Sequence, residues 1–308
     1  MAKKSLKNTW ETSKKIEDLY KKLLKNLLDP AKKEIIRKSK DKEEQLTVEY
    51  VEKYLKKFSE APIFLQKADE IAKRITTMIL AENAKDWREA ARKASRNPQM
   101  YKLLMKELEN DKEIKKEFDR ILESNSKLIK TLPLEIAQDV VKHIASKTFA
   151  SSRPETISKE IKKFFPEHTK AKEDLIARTE SAKARAALKE SRAKSIGVYW
   201  YVWHSTGDQR TRPAHAFMNN VICNYRHNPS PEELAKKHGK YEGKSYGEYT
   251  PGGIFNCRCF AEPIIELNLI KFPCKAYDWD INDVVQMNSA QQFKEFAESK
   301  GMPLREYD

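Results

Sequence analysis

Ser195-Ile196-Gly197-Val198-Tyr199-Trp200-Tyr201-Val202-Trp203-His204 is where one kind of chain ends and another begins. Gly197 is the first glycine of the protein, and the other seven all follow it, the last being Gly301. Glycine costs a helix interior about 1 kcal/mol relative to alanine and is the usual residue of tight turns. The glycine-free chain before it therefore reads as helices joined at proline or Asx positions. Val198 to His204 is β-branched and aromatic, the composition of a strand in a buried sheet.

Upstream, the apolar spacing draws the helices. Ile16, Leu19, Tyr20, Leu23, Leu24, Leu27 and Leu28 form one stripe at i, i+3, i+4 and i+7, which Asp29-Pro30 is expected to stop. A second helix is expected over about 43–58, and Pro62 opens a long third one at an N1 position. Further helices are expected near 98–109, 112–130 and 133–149. Ser152-Arg153-Pro154-Glu155 and His168-Thr169 read as joints, with Thr169 capping a helix over 170–194. No period of 20–50 residues recurs, so this is an irregular bundle and not a solenoid.

Downstream, Asn220 to Tyr225 and Phe255 to Pro263 are two more strand candidates. Between them come a polar turn at 205–210, a short helix from Arg212-Pro213 and a glycine- and tyrosine-rich loop from Gly239 to Gly253. One amphipathic helix over about 281–299, stopped by Gly301, ends the chain. The expected fold class is a mainly α-helical N-terminal region, then a small α+β module with a short mixed sheet, then a C-terminal helix. The corresponding domains are 1–169, 170–268 and 269–308.

Length and charge bound the function. The 308 residues suffice for about two domains. Val198 to Trp203, the longest apolar run, is too short to cross a bilayer. No apolar segment follows the basic N-terminus, so no secretory signal is expected, and four cysteines point to a reducing compartment rather than a disulfide scaffold. The net charge of +14 is unevenly spread, with +15 over residues 1–194, +8 of it within 1–40, and −1 over the remainder. A basic excess of this size suits phosphate backbones. Lys3, Lys4, Lys7, Lys14 and Lys15, which avoid the apolar stripe, are the DNA-contact candidates. Six phosphate contacts would lose roughly three decades of affinity between about 50 and 200 mM salt. Without a glycine-marked helix-turn-helix or a stacking platform, any such contact is expected to be sequence-independent.

Two short motifs carry the module. Trp203-His-Ser-Thr-Gly-Asp208-Gln-Arg210-Thr-Arg212-Pro-Ala-His215 precedes Asn256-Cys257-Arg258-Cys259 by about forty residues, and Leu175-Ile-Ala-Arg178-Thr-Glu180 lies upstream. Together, over about 170–265, they resemble the phage head-morphogenesis family, the Mu F-like minor head proteins. That resemblance implies a non-enzymatic role inside a phage or prophage head, assembled in the host bacterial cytoplasm. The implied partners are the portal protein, packaged double-stranded DNA and, further, scaffold or major capsid protein. Some members of the family carry Cys-x-x-Cys where this chain has Arg212-Pro-Ala-His215. A zinc site carried over from them would keep His215, Cys257 and Cys259.

Several readings of these residues stand side by side. Cys257 and Cys259 leave an extended segment on one side and would face one ion. His215 would be a third zinc ligand, and Cys223, His204 or His227 a fourth. The same cysteines would also serve as plain core residues. Asp208, Arg210, Arg212 and His215 would suit a nuclease or phosphoryl-transfer site, with or without metal. No nucleophile elbow or phosphate-cradling loop accompanies them, and a structural network, with Asp208 capping its turn and pairing with Arg210 or Arg212, explains them equally. A stand-alone DNA-binding or zinc-stabilised interaction module is the third alternative.

Overall fold

The computed structural model describes residue 10 and residues 13–40, 45–93, 101–102, 111–146 and 152–304. Eight α-helices are named among them: α1 (Lys14–Lys38), α2 (Val48–Glu60), α3 (Pro62–Lys93), α4 (Lys112–Ile144), α5 (Pro154–Ser195), α6 (Pro213–Phe217), α7 (Pro231–Lys237) and α8 (Ala290–Ser299). Five strands follow α5 in the chain: β1 (Trp200–His204), β2 (Val221–Asn224), β3 (Phe260–Pro263), β4 (Cys274–Asp278) and β5 (Asp283–Met287). No helix among the described residues is long and apolar enough to cross a membrane.

The helical region bears out the reading from glycine and periodicity, with three corrections. Pro30 does not stop α1, Pro133 lies inside the single helix α4, and α5 runs unbroken through Pro166, His168 and Thr169. An internal proline forfeits one hydrogen bond and costs about 3 kcal/mol. In each case the buried stripe continues past it. Ala31 and Ile35 beyond Pro30, Ile136 and Val140 beyond Pro133, and Ile176 and Ala177 beyond Pro166 are all buried, and removing that apolar surface from water offsets the loss. Thr169 caps nothing. Its hydroxyl donates to the Phe165 carbonyl at 2.7 Å, the back-bond of a mid-helix threonine. The helix expected near 98–109 lies almost entirely outside the described residues, as does the end of the one expected to reach 149.

Contacts divide the chain into two compact units that do not follow sequence order. One comprises Lys14–Met78 and Asp119–Ser181 and is wholly helical where described. The buried stripe of α1 (Ile16, Tyr20, Leu24, Leu27 and Leu28) forms part of its core. Ion pairs tie the helices: Lys32 Nζ to the buried Glu173 at 2.6 Å, Lys130 to Asp69 at 2.7 Å and Lys172 to Asp139 at 2.9 Å.

The other unit draws on Met1–Ser13, Ile79–Phe118 and Ala182–Asp308, and it carries the sheet. Strand order is β3-β1-β2-β4-β5, antiparallel throughout except for the parallel β2–β4 pair. Strand side chains alternate between faces. Tyr201, Trp203, Val221 and Cys223 pack on one side with Trp87 of α3 and Ala193 of α5. Trp200, Ile222, Ala276 and Met287 pack on the other with Phe293 and Ala297 of α8. Apolar layers on both faces explain the uninterrupted run of β1. Two expectations shift here. The segment after 268 is not a helical tail alone, since β4 and β5 join the sheet, and the last helix starts at Ala290 rather than near 281. Ser289 sets that start by accepting from Gln292 N at 3.2 Å.

Candidate functional site

His215 lies on α6, a short helix opened by Pro213. Cys257 and Cys259 lie on the segment entering β3, just after Asn256 reverses the chain with φ 56°. Gly252 (φ 93°) lets the preceding loop close on α5, where an added Cβ would meet Ala186 Cβ and Cys259 O at 3.3 Å. All three candidate ligands are buried. His215 Nδ1 is 3.6 Å from Cys257 Sγ and 3.3 Å from Cys259 Sγ, and the three ligand atoms lie within 4.8 Å of one another.

The far side of the imidazole is held by residues that sequence reading missed. Tyr249 donates its hydroxyl proton to Glu232 Oε1 at 2.6 Å, and His215 Nε2 is 2.9 Å from the same hydroxyl oxygen. Glu232 is fully buried in the first turn of α7. Ser230-Pro231-Glu232-Glu233 signals a helix start in the sequence, yet nothing local marks Glu232 as buried.

The electrostatics follow from these contacts. Burial pushes Glu232 up, but hydrogen bonds from His215 and Tyr249 bring it below its ordinary value. Burial pushes His215 down, and its Cys257 and Glu232 partners outweigh that and raise it. The hydrogen bond from the Cys259 thiol, with help from His215, draws Cys257 below its ordinary value. Cys259, which gives that bond and is itself buried, is pushed up.

The three sulfur and histidine positions expected to meet do meet; the three fourth-ligand candidates are committed elsewhere. His204 Nε2 sits 2.6 Å from Glu262, Cys223 directs its thiol to Val221 O, and His227 stacks on Trp279. Among the described residues, no fourth His, Cys, Asp or Glu joins the trio.

The arginine motif forms a separate network. Asp208 pairs with both terminal nitrogens of Arg258, one at 2.7 Å, and accepts from Arg210 N and Thr211 Oγ1. The Arg258 hydrogen bond holds the Asp208 carboxyl well below the usual range. Asp208 thus stitches the turn after β1 to the Asn256–Cys259 segment. Arg210 reaches it only at 3.8 Å, so the chief partner is Arg258 rather than Arg210 or Arg212. Arg212 instead donates to Phe255 O at 3.1 Å and stacks near the Phe255 and Tyr246 rings. Of the DNA-contact candidates, Lys14 and Lys15 are exposed at the start of α1, while Lys3, Lys4 and Lys7 lie outside the described residues.

Comparison with known proteins finds a family similar to the part of the chain that carries this site. The profile of the family described as "Phage Mu protein F like protein" matches residues 138–262, which include every motif residue above. A protein of Haemophilus influenzae (strain ATCC 51907 / DSM 11121 / KW20 / Rd), described as uncharacterized, is 26% identical over 161 residues, covering 52% of this chain and 32% of that protein. The chain thus spans about a third of the length of that curated relative. No solved structure matches.

Proposed function

We propose that this chain, whose residues 138–262 match the family described as "Phage Mu protein F like protein", is a minor head protein of a tailed phage or prophage. In this reading it joins the procapsid in few copies through the portal protein, lies inside the head and touches packaged DNA without reading its sequence. The observation that carries the reading is the family match, whose span holds both halves of the arginine and Cys-x-Cys motif. The basic excess supports the DNA contact, and Lys14 and Lys15 are placed in solvent. The networks around Asp208 and His215 support a scaffold role. Asp208 is bound to Arg258 and its own turn, while His215 is turned toward two thiols and a tyrosine.

Quantitative mass spectrometry of purified heads and procapsids tests this. The chain is expected in both particles, at a few copies for each portal ring and far below the major capsid protein. Its absence from both particles, despite expression in the producing cell, would sink the proposal.

A further inference from the structure

We propose that His215, Cys257 and Cys259 bind a zinc ion through Nδ1 and two sulfurs, with Tyr249 and Glu232 fixing the imidazole from behind.

The donor set and its spacing fit the ion. Zinc takes sulfur at about 2.3 Å and imidazole nitrogen at about 2.0–2.1 Å in a tetrahedron. Those lengths make each N···S edge about 3.5 Å and the S···S edge about 3.8 Å. The two N···S distances are 3.6 and 3.3 Å, and the ligand atoms lie within 4.8 Å of one another. One ion can therefore reach all three with small adjustments.

Proton bookkeeping then fixes the tautomer. An ionised Glu232 carboxylate only accepts, so Tyr249 must donate its one proton to it. The Tyr249 oxygen is left as an acceptor for His215, which places the imidazole proton on Nε2. In the neutral ring Nδ1 then carries a lone pair, and that lone pair faces both sulfurs. The Cys259 thiol has one proton and gives it to Cys257, so that lone pair is left facing sulfur. A cation between the three atoms gives every one of them a partner. On binding, any proton still held by Cys257 or Cys259 passes to solvent as the two Zn–S bonds form, with no change of oxidation state.

The histidine–tyrosine–carboxylate chain has the form of the outer shell that orients zinc-binding histidines and raises their basicity. With Cys223, His204 and His227 committed elsewhere, the fourth position falls to a ligand outside the trio, a solvent molecule in the simplest case.

The test uses the full chain, purified under reducing conditions after expression with added zinc. Elemental analysis should find close to one zinc per chain. Cobalt loading should give a thiolate-to-metal charge-transfer band, and a competing chelator should remove the metal and lower the melting temperature. Cys274→Ser should keep the metal, Cys259→Ser should lose it, and Glu232→Gln should weaken affinity about 10–100-fold. If Cys259→Ser fails to fold, chelator competition on the unmutated chain still decides. Folded protein that holds no zinc and neither binds nor is stabilised by added zinc or cobalt overturns the proposal. It would leave the trio as a thiol–imidazole hydrogen-bond cluster, and the head-protein reading untouched.

Discussion

Arg185→Ala should destabilise the folded chain by about 3–5 kcal/mol, the range for breaking a buried ion pair from one side. Arg185 is buried on α5 and faces two carboxylates one helical turn apart on α3. Its Nη2 pairs with Glu82, and its Nη1 with Asp86 at 3.3 Å. Burial lowers the guanidinium only to about 10, so it stays charged at neutral pH. Truncation leaves Glu82 and Asp86 facing each other with no guanidinium between them. The loss should appear in urea unfolding as a lower midpoint with little change in slope. Replacing Arg185, Glu82 and Asp86 together with apolar residues of similar volume should recover most of the stability. A loss below about 1 kcal/mol for Arg185→Ala would mean that the cluster does not hold α3 to α5.

A neighbour of that cluster gives the second large effect. Lys189 is fully buried, and its Nζ donates to Trp10 O at 3.2 Å and Ala261 O at 2.9 Å. Burial, reinforced by the Arg185 charge, pushes its pKa down to about 7. In the unfolded chain the ammonium keeps its proton to about pH 10.4. Between these values the unfolded state binds a proton that the folded state has released, so stability rises with pH at about 1.4 kcal/mol per unit from this group. Below the folded pKa the buried ammonium carries its full penalty; above the unfolded pKa the contribution is constant.

Buried thiols and tyrosines titrate in the opposite sense at alkaline pH, so the quantity to measure is the difference between the wild type and Lys189→Met. From about pH 7.5 to 9.5 the wild type should gain about 2–3 kcal/mol relative to the variant. Parallel pH profiles would show that Lys189 titrates normally in the fold. Arg185→Ala should also shrink the difference, because removing the neighbouring cation lets Lys189 keep its proton.

Which parts of this architecture were legible in the sequence follows from the range of the forces involved. Helices and the strands β1 and β2 announce themselves within a few residues, through absent glycine, apolar period and β-branched aromatics. What ends a helix is less local. Pro30, Pro133 and Pro166 look like stops, but buried side chains on both sides carry each helix through. β4 carries the charged Lys275 and Asp278, and it is a strand because the distant β2 pairs with it in parallel.

The site divides in the same way. Cys257 and Cys259 are two positions apart in an extended segment, and the motif resemblance supplied His215. Glu232 and Tyr249 reach His215 from a helix and a loop whose sequences show no chemistry of their own. Arg185 and Lys189 belong to the basic half by composition, yet both are buried, so the solvent-facing basic excess is smaller than the sequence sum.

Portal association is central to the proposed head-protein role, and co-expression of this full chain with the portal protein of the phage or prophage proposed to encode it tests that most directly. Size-exclusion chromatography at micromolar concentration should show the two eluting together as one large species, with this chain in defined ratio to the ring. Complete separation, with each protein folded by circular dichroism and the portal ring intact, would contradict the proposed head-protein role.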